Sequence, residues 1–310
     1  MSALVLRREE RRIEHEHPGR DIAKGMTRPL KKSEVLMVQN RGEYLYAACG
    51  EGGVRVFDIA FIDDKAFAER ITTAPVSPVG QKFYLDTKYA TWVAAPTTVS
   101  VDPTRAQTPG NKEQKIHPLF GYLYIADKYE GLIITGVGTT LDGNPVNNFL
   151  KKDVCFNPDG LLYDAKHVHV VGHYAYVSCD AGLVVVDIDD PTRPKVTCVV
   201  DKRHHLERPH MVATQLRYAY VCDEEGVKVL DITDLAKPVV RSQIKLPEAH
   251  SIYLARTYAY VAAGPRGLVV LDIQNAEEPK VDQVYTARSE EHTSELQSLR
   301  HLVCRLLLEK

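Results

Sequence analysis

The sequence predicts an all-β chain, a β-propeller of about six four-stranded blades, with seven when complete as the alternative. Three observations carry that reading. The segment KHVHVVGHYAYVSCDAGLVVVDI (166–188) returns as PHMVATQLRYAYVCDEEGVKVLDI (209–232) and as AHSIYLARTYAYVAAGPRGLVVLDI (249–273). Each copy holds an alternating run, a Tyr-Ala-Tyr-Val strand, a Gly-containing turn and a second apolar strand ending in Asp-Ile. The central tyrosines Tyr174, Tyr218 and Tyr258 lie 44 and 40 residues apart, a period that fits several short strands per blade.

The elements follow in order. Residues 1–33 are polar, mixed in charge and without a usable period, which reads as a linker or the remnant of a preceding segment. A first copy, VLMVQNRGEYLYAACGEGGVRVFDI (35–59), carries the paired tyrosines as Tyr44 and Tyr46, and FAERIT (67–72) offers a fourth strand. A degenerate copy at 81–103 has Tyr89 and Trp92 near the tyrosine positions. A third, KIHPLFGYLYIADKYEGLIITGV (115–137), runs into a Gly-, Pro- and Asn-rich insertion at 139–165, where propellers often place specific contacts. Copies four to six are the best formed. Pro194, Pro238 and Pro279 recur just before a fourth strand, where a missing N–H is harmless. The expected blades are 35–72, 81–110, 115–165, 166–200, 209–247 and 249–287.

Residues 288–310 break the pattern after Ala287. Arg288–Ser298 is, residue for residue, the translation of a common short-read sequencing adapter, and the adapter's continuation accounts for the rest. The sequence reading is therefore a non-native tail at 288–310, a natural chain that continues differently after Ala287, and an open question at Met1.

Composition bounds the function. Of 310 residues 26% are charged and 44% apolar, enough to build a core. A net charge of −2 gives no electrostatic reason to expect nucleic acid. No apolar run reaches the length of a membrane span, and the charged N-terminus has no signal-peptide core. None of the six cysteines forms a C-x-x-C pair. Cys49, Cys179 and Cys222 fall at or beside the end of the tyrosine strand and read as small buried hydrophobes.

The pattern YAYV–turn–GLVVVDI, followed by a proline-bearing turn, resembles the LVIVD-repeat family. The likeness is strong over 160–287 and loose over 81–137. It implies a β-propeller in bacterial or archaeal proteins, often large and extracytoplasmic (periplasmic, cell-surface or secreted), sometimes beside haem-binding modules. It brings no catalytic residues to carry over.

Histidine is the one residue type with a suggestive recurrence. His210 and His250 precede their tyrosine pair by eight residues and His167 precedes Tyr174 by seven, with His169 and His117 nearby. Placed at the start of the innermost strand, His167, His169, His210 and His250 are candidate channel ligands for a metal such as zinc, copper or iron. The plainer reading is that each bonds a backbone group at a blade junction. The cluster His204, His205, Glu207 and His210 reads as a solvated loop. Asp58, Asp187, Asp231 and Asp272 recur once per blade and, with Asp180 and Asp223, read as turn residues. Lys128, Tyr129 and Arg266 occupy turns that expose them. No G-x-S-x-G elbow, P-loop or dinucleotide fingerprint is present.

The leading expectation is a non-catalytic binding module within a larger envelope or secreted polypeptide. It would be monomeric there, would need no cofactor, and would engage a protein or a surface polymer. A metal- or redox-associated module is the alternative. A hydrolase or lyase propeller, with an acid–base pair built from 139–165, is the third.

Overall fold

Sheet pairing follows the alternation of the sequence strand by strand. The computed structural model describes residues 33–42, 44–58, 84–96, 118–137 and 150–286. Among them are five four-stranded antiparallel sheets, and the only helical turns are short 3-10 segments. Sheet 1 holds β1 (Met37–Arg41), β2 (Tyr44–Ala48), β3 (Val54–Asp58) and β4 (Tyr84–Leu85). Sheet 2 holds β5 (Ala90–Ala94), β6 (Tyr122–Asp127), β7 (Gly131–Gly136) and β8 (Lys151–Phe156). Sheet 3 holds β9 (His167–Val171), β10 (Tyr174–Cys179), β11 (Gly182–Asp187) and β12 (Lys195–Val200). Sheet 4 holds β13 (Met211–Gln215), β14 (Tyr218–Asp223), β15 (Gly226–Asp231) and β16 (Val239–Lys245). Sheet 5 holds β17 (Ser251–Ala255), β18 (Tyr258–Ala262), β19 (Leu268–Asp272) and β20 (Lys280–Tyr285). The chain divides into two compact units, 1–199 and 200–310, the first carrying sheets 1 to 3 and the second sheets 4 and 5.

The sheets differ from the sequence expectation at two places. The described part of the degenerate copy expected at 81–110, residues 84–96, is divided between two sheets. Its Tyr84–Leu85 closes sheet 1, and its Ala90–Ala94 becomes the first strand of sheet 2, paired with β6. The six expected segments thus yield five sheets among the described residues. A strand pairs with whichever edge its backbone can reach, and the two halves of this copy reach different edges. The second difference is Lys151–Phe156, assigned from sequence to an irregular insertion. Its side chains alternate exposed and half-buried, as an edge strand requires. The expected strand at 67–72, His117, the segment 138–149, residues 1–32 and the tail at 288–310 lie outside the described residues.

The recurring polar residues make the turns. Asp187, Asp231 and Asp272 each accept a hydrogen bond from the backbone N–H two residues on, at 2.9, 3.0 and 2.9 Å. The prolines stand immediately before β12, β16 and β20, as expected.

Core formation has a direction. The face of sheet 1 bearing Met37, Tyr46, Ala48 and Val56 packs on the face of sheet 2 bearing Val93, Leu123, Ile125 and Ile133. The other face of sheet 2, with Tyr124, Ala126 and Ile134, packs on Val168, Ala175, Val177 and Val184 of sheet 3. In the second unit Tyr220, Cys222 and Val229 of sheet 4 meet Ile252, Ala259, Val261 and Val269 of sheet 5. Each contact sets a tyrosine face against an Ala/Val/Ile face. Large rings then meet small and β-branched side chains, which fills the layer at interior density. First strands approach one another within each unit, β1 near β5 near β9, and β13 near β17, so they are the inner strands. Cys49, Cys179 and Cys222 are buried.

One backbone device recurs at the start of the third strand. Gly53, Gly131, Gly226 and Gly267 all have positive φ, and a Cβ on any of them would fall against a carbonyl of the outer strand. For Gly226 that carbonyl belongs to Ile244. Replacing Gly226 with Ala is expected to destabilise the second unit by roughly 2 kcal/mol or more, read as a lower midpoint in urea unfolding. An unchanged midpoint would contradict the close approach.

Candidate functional site

The four candidate histidines do not share one structural position. Strand pairing aligns Tyr174 with Val171, Tyr218 with Gln215 and Tyr258 with Ala255. In that frame His210 and His250 are equivalent to each other and to Lys166, while His167 lies one residue further along its strand. A one-residue offset turns a side chain to the opposite face. His167 is accordingly buried, its ring edge-on to Trp92 at 4.4 Å between centroids. His169, two residues on, shares that face and stacks on His167 at 6.4 Å. His210 and His250 form a separate pair, tilted at 6.0 Å, with their N–H groups bonded to the carbonyls of Cys222 and Ala262. Among the described residues no group of three or more His, Cys, Asp or Glu is placed to hold a metal ion.

The cluster at 201–210 is a folded loop. Asp201 caps a 3-10 turn, accepting from the N–H of Arg203 and contacting Nδ1 of His204 at 3.0 Å. His205 takes the left-handed conformation, and its carbonyl accepts from Nζ of Lys228. Asp223 is fully buried. Its carboxylate accepts from the N–H groups of Glu207, Glu225 and Gly226 at 3.0 to 3.1 Å and pairs with Lys228 at 2.7 Å. The corresponding positions on the other third strands hold Arg55, Ile133, Val184 and Val269. Burial pushes the Lys228 ammonium down, but its bonds to Asp223 and Glu225 outweigh this and leave it above the ordinary lysine value.

The equivalent carboxylate in sheet 2, Asp127, is also fully buried and organises a different surface. It accepts from the N–H of Tyr89 at 2.6 Å, of Tyr129 at 2.9 Å and of Glu130 at 2.8 Å. Backbone bonds continue the chain of loops: Lys128 N–H to the Tyr89 carbonyl, Asp164 N–H to that of Lys128, and Asp180 N–H to that of Tyr163. Asn157 fixes the last loop by accepting from the N–H of Leu162 at 2.8 Å. The result is a row of three tyrosines drawn from three connections. Tyr89 and Tyr129 meet edge to face at 6.4 Å, and Tyr129 and Tyr163 are tilted against each other at 6.1 Å. The Lys128 ammonium sits 6.0 and 5.8 Å from the Tyr89 and Tyr129 centroids, close to the limit for a cation–π contact.

Beside Tyr163 opens a cleft of about 420 Å³ walled by Asp159, Leu161, Tyr163, Asp180 and Val196. Neither Asp159 nor Asp180 has an ion-pair partner among the described residues. Sequence reasoning marked part of this surface, the exposed turn at Lys128–Tyr129 and the insertion before Lys166. It missed the row, because Tyr89, Tyr129 and Tyr163 are far apart along the chain. Tyr129 and Arg266 are exposed as expected, whereas Lys128 is half-buried against its neighbours.

With this geometry in place, residues 120–138, 164–201, 212–244 and 248–286 match the LVIVD repeat. The chain carries LVIVD repeats. The last three matched segments coincide with sheets 3, 4 and 5, and the first covers β6 and β7. Among solved structures the chain is similar to the β-propeller domain of Cps50 (Swd1) from Myceliophteria thermophila, with a TM-score of 0.53 and 11% identity over 84% of this chain and 75% of that one. It is also similar to a protein from Lactobacillus plantarum, with a TM-score of 0.54 and 13% identity over 83% and 73% of the two chains. At such identities the likeness is one of fold. No curated relative matches the sequence. No helix among the described residues is long and apolar enough to cross a membrane.

Two outcomes test the loop hubs of the LVIVD sheets. Asp223→Ala removes the acceptor of three N–H groups and strands Lys228 in the interior, so a loss of about 3–5 kcal/mol is expected. Lys228→Ile recreates the Asp127–Ile133 arrangement of sheet 2, in which three N–H groups hold the buried carboxylate, and is expected to cost clearly less than Asp223→Ala. Equal losses on urea unfolding would refute the assignment of Asp223 as the hub.

His169 supplies a pH dependence. Burial lowers its pKa from 6.5 to about 4, so the unfolded chain binds the proton more readily. The stability linked to this group is present above the unfolded value of 6.5 and is lost as the pH drops toward 4. His169→Gln is expected to flatten that slope in unfolding measured between pH 7 and pH 4.

Proposed function

We propose that this LVIVD-repeat chain is a non-catalytic binding module that grips its partner on the Tyr89–Tyr129–Tyr163 row and the adjoining cleft. One observation carries the reading. Three connections that are remote in sequence converge to expose the Tyr129 and Tyr163 rings, with Tyr89 half-buried behind them, beside two carboxylates that have no cationic partner among the described residues, and buried Asp127 holds the Tyr89–Tyr129 convergence. Tyrosines with an apolar body and a polar tip are common anchors at binding surfaces. Composition alone fits a protein or a surface polymer as partner; the cleft chemistry favours a protein presenting Lys or Arg. Such a side chain would lie along the Tyr163 ring and meet Asp159 and Asp180.

The family resemblance supports placing this module outside the cytoplasm, within a larger bacterial or archaeal envelope or secreted polypeptide. A propeller of six blades, or seven when complete, would need sheets beyond the five described. The metal-associated alternative requires three imidazoles around one point, and the register offset of His167 against His210 and His250 works against it.

The test is calorimetric titration of the chain with an Arg/Lys-rich peptide and, separately, with a neutral oligosaccharide. Saturable peptide binding that weakens about tenfold in Tyr163→Ala and in Asp180→Asn is expected, a change of about 1.4 kcal/mol. Binding that is absent, or unaltered in both variants, would overturn the site. Binding of the oligosaccharide alone would reassign the partner to a surface polymer.

A further inference from the structure

The repeated packing leaves one face of sheet 5 without its counterpart. In sheets 1 to 4 the second tyrosine of the pair, Tyr46, Tyr124, Tyr176 and Tyr220, is 0–3% exposed. The equivalent Tyr260 is only partly buried. On the same face, by strand register, stand Tyr253, Tyr258 and Tyr285, exposed by 48, 38 and 56%. Beneath them lie Leu268 and Val270, which pair with Ala262 and Tyr260. This is the tyrosine face that, in sheets 1, 2 and 4, rests on the Ala/Val/Ile face of the sheet following in sequence.

We infer that the Tyr253–Tyr258–Tyr260–Tyr285 face is a docking surface for one further LVIVD-type sheet supplied by the same polypeptide. The occupant is specified by the interfaces already formed. Opposite Tyr220 stand Ala259, Val261, Ile252 and Val269, and opposite Tyr46 stand Leu123, Ile125, Val93 and Ile133. A ring facing small and β-branched side chains is therefore the pairing the repeat encodes, and a sheet of the same repeat presents it. Burying four tyrosines removes several hundred Å² of apolar surface from water, of the order of what one side chain of this kind hides in a core times four. A second copy of the chain is the competing occupant, because Val38 of sheet 1 is 42% exposed where Val93, Val168, Val212 and Ile252 are 0–2% exposed. The inference stands on the repeat packing and is independent of the tyrosine row in the first unit.

The experiment splices a second copy of residues 248–286 after Thr286, in place of 287–310, and follows thermal unfolding, amide hydrogen exchange and sedimentation. The expected result is a rise in Tm of about 4 °C or more, with exchange in β18 and β20 slowed about tenfold. Tyr260→Glu should abolish both gains in the extended chain and leave the Tm of the parent chain within about 1 °C, since its ring is not enclosed there. No gain on extension would overturn the inference. So would a parent chain that already self-associates with concentration and loses that association in Tyr260→Glu, because a second copy would then be the occupant.

Discussion

A four-stranded sheet whose two faces are both apolar cannot stand alone in water, and every level of this structure follows from that constraint. The two faces are unlike. One carries the paired tyrosines, the other Ala, Val and Ile, so sheets stack in one direction and the contact repeats without inversion. Because each contact joins the rings of one sheet to the small side chains of the next, neighbours in sequence become neighbours in space within each unit. This is the energetic logic of repeat proteins, where stability resides in the interface between units rather than in any one of them.

Stacking leaves the connections to be satisfied separately. A loop that passes from one sheet to the next carries backbone N–H groups over a partly dry surface, and those groups need acceptors. Asp127 and Asp223 meet the need in the same way, each buried carboxylate gathering three N–H groups from two connections. The surfaces they organise differ. Around Asp127 the loops carry Tyr89, Tyr129 and Tyr163 and open beside a cleft. Around Asp223 they are tied inward by Lys228, and the histidines of that loop serve its own folding. A shared scaffold thus carries distinct faces, which is how repeat folds acquire specific contacts without altering their cores.

The histidines show what a spacing along the chain leaves undecided. A spacing of seven against eight residues from the tyrosine pair looks like minor variation along the chain. In a strand it exchanges one face for the other, so His167 joins the interior of the first unit beside Trp92, while His210 and His250 pair with each other within the second. The degenerate second copy shows the same limit for architecture. Its strands are legible as strands, but nothing local tells Tyr84–Leu85 to close sheet 1 and Ala90–Ala94 to open sheet 2.

The sequence by itself determined the repeat, the alternation that makes the strands, the Asp-Ile turns, and the prolines set before the outer strands. Each depends on residues a few positions apart, and local chemistry is enough to read them. Tertiary structure alone decided which strands share a sheet, which face each histidine takes, and that Tyr89, Tyr129 and Tyr163 form one surface. Those outcomes rest on pairing register and on contacts between segments tens of residues apart, where the free energy of burial selects among arrangements that the local sequence permits equally.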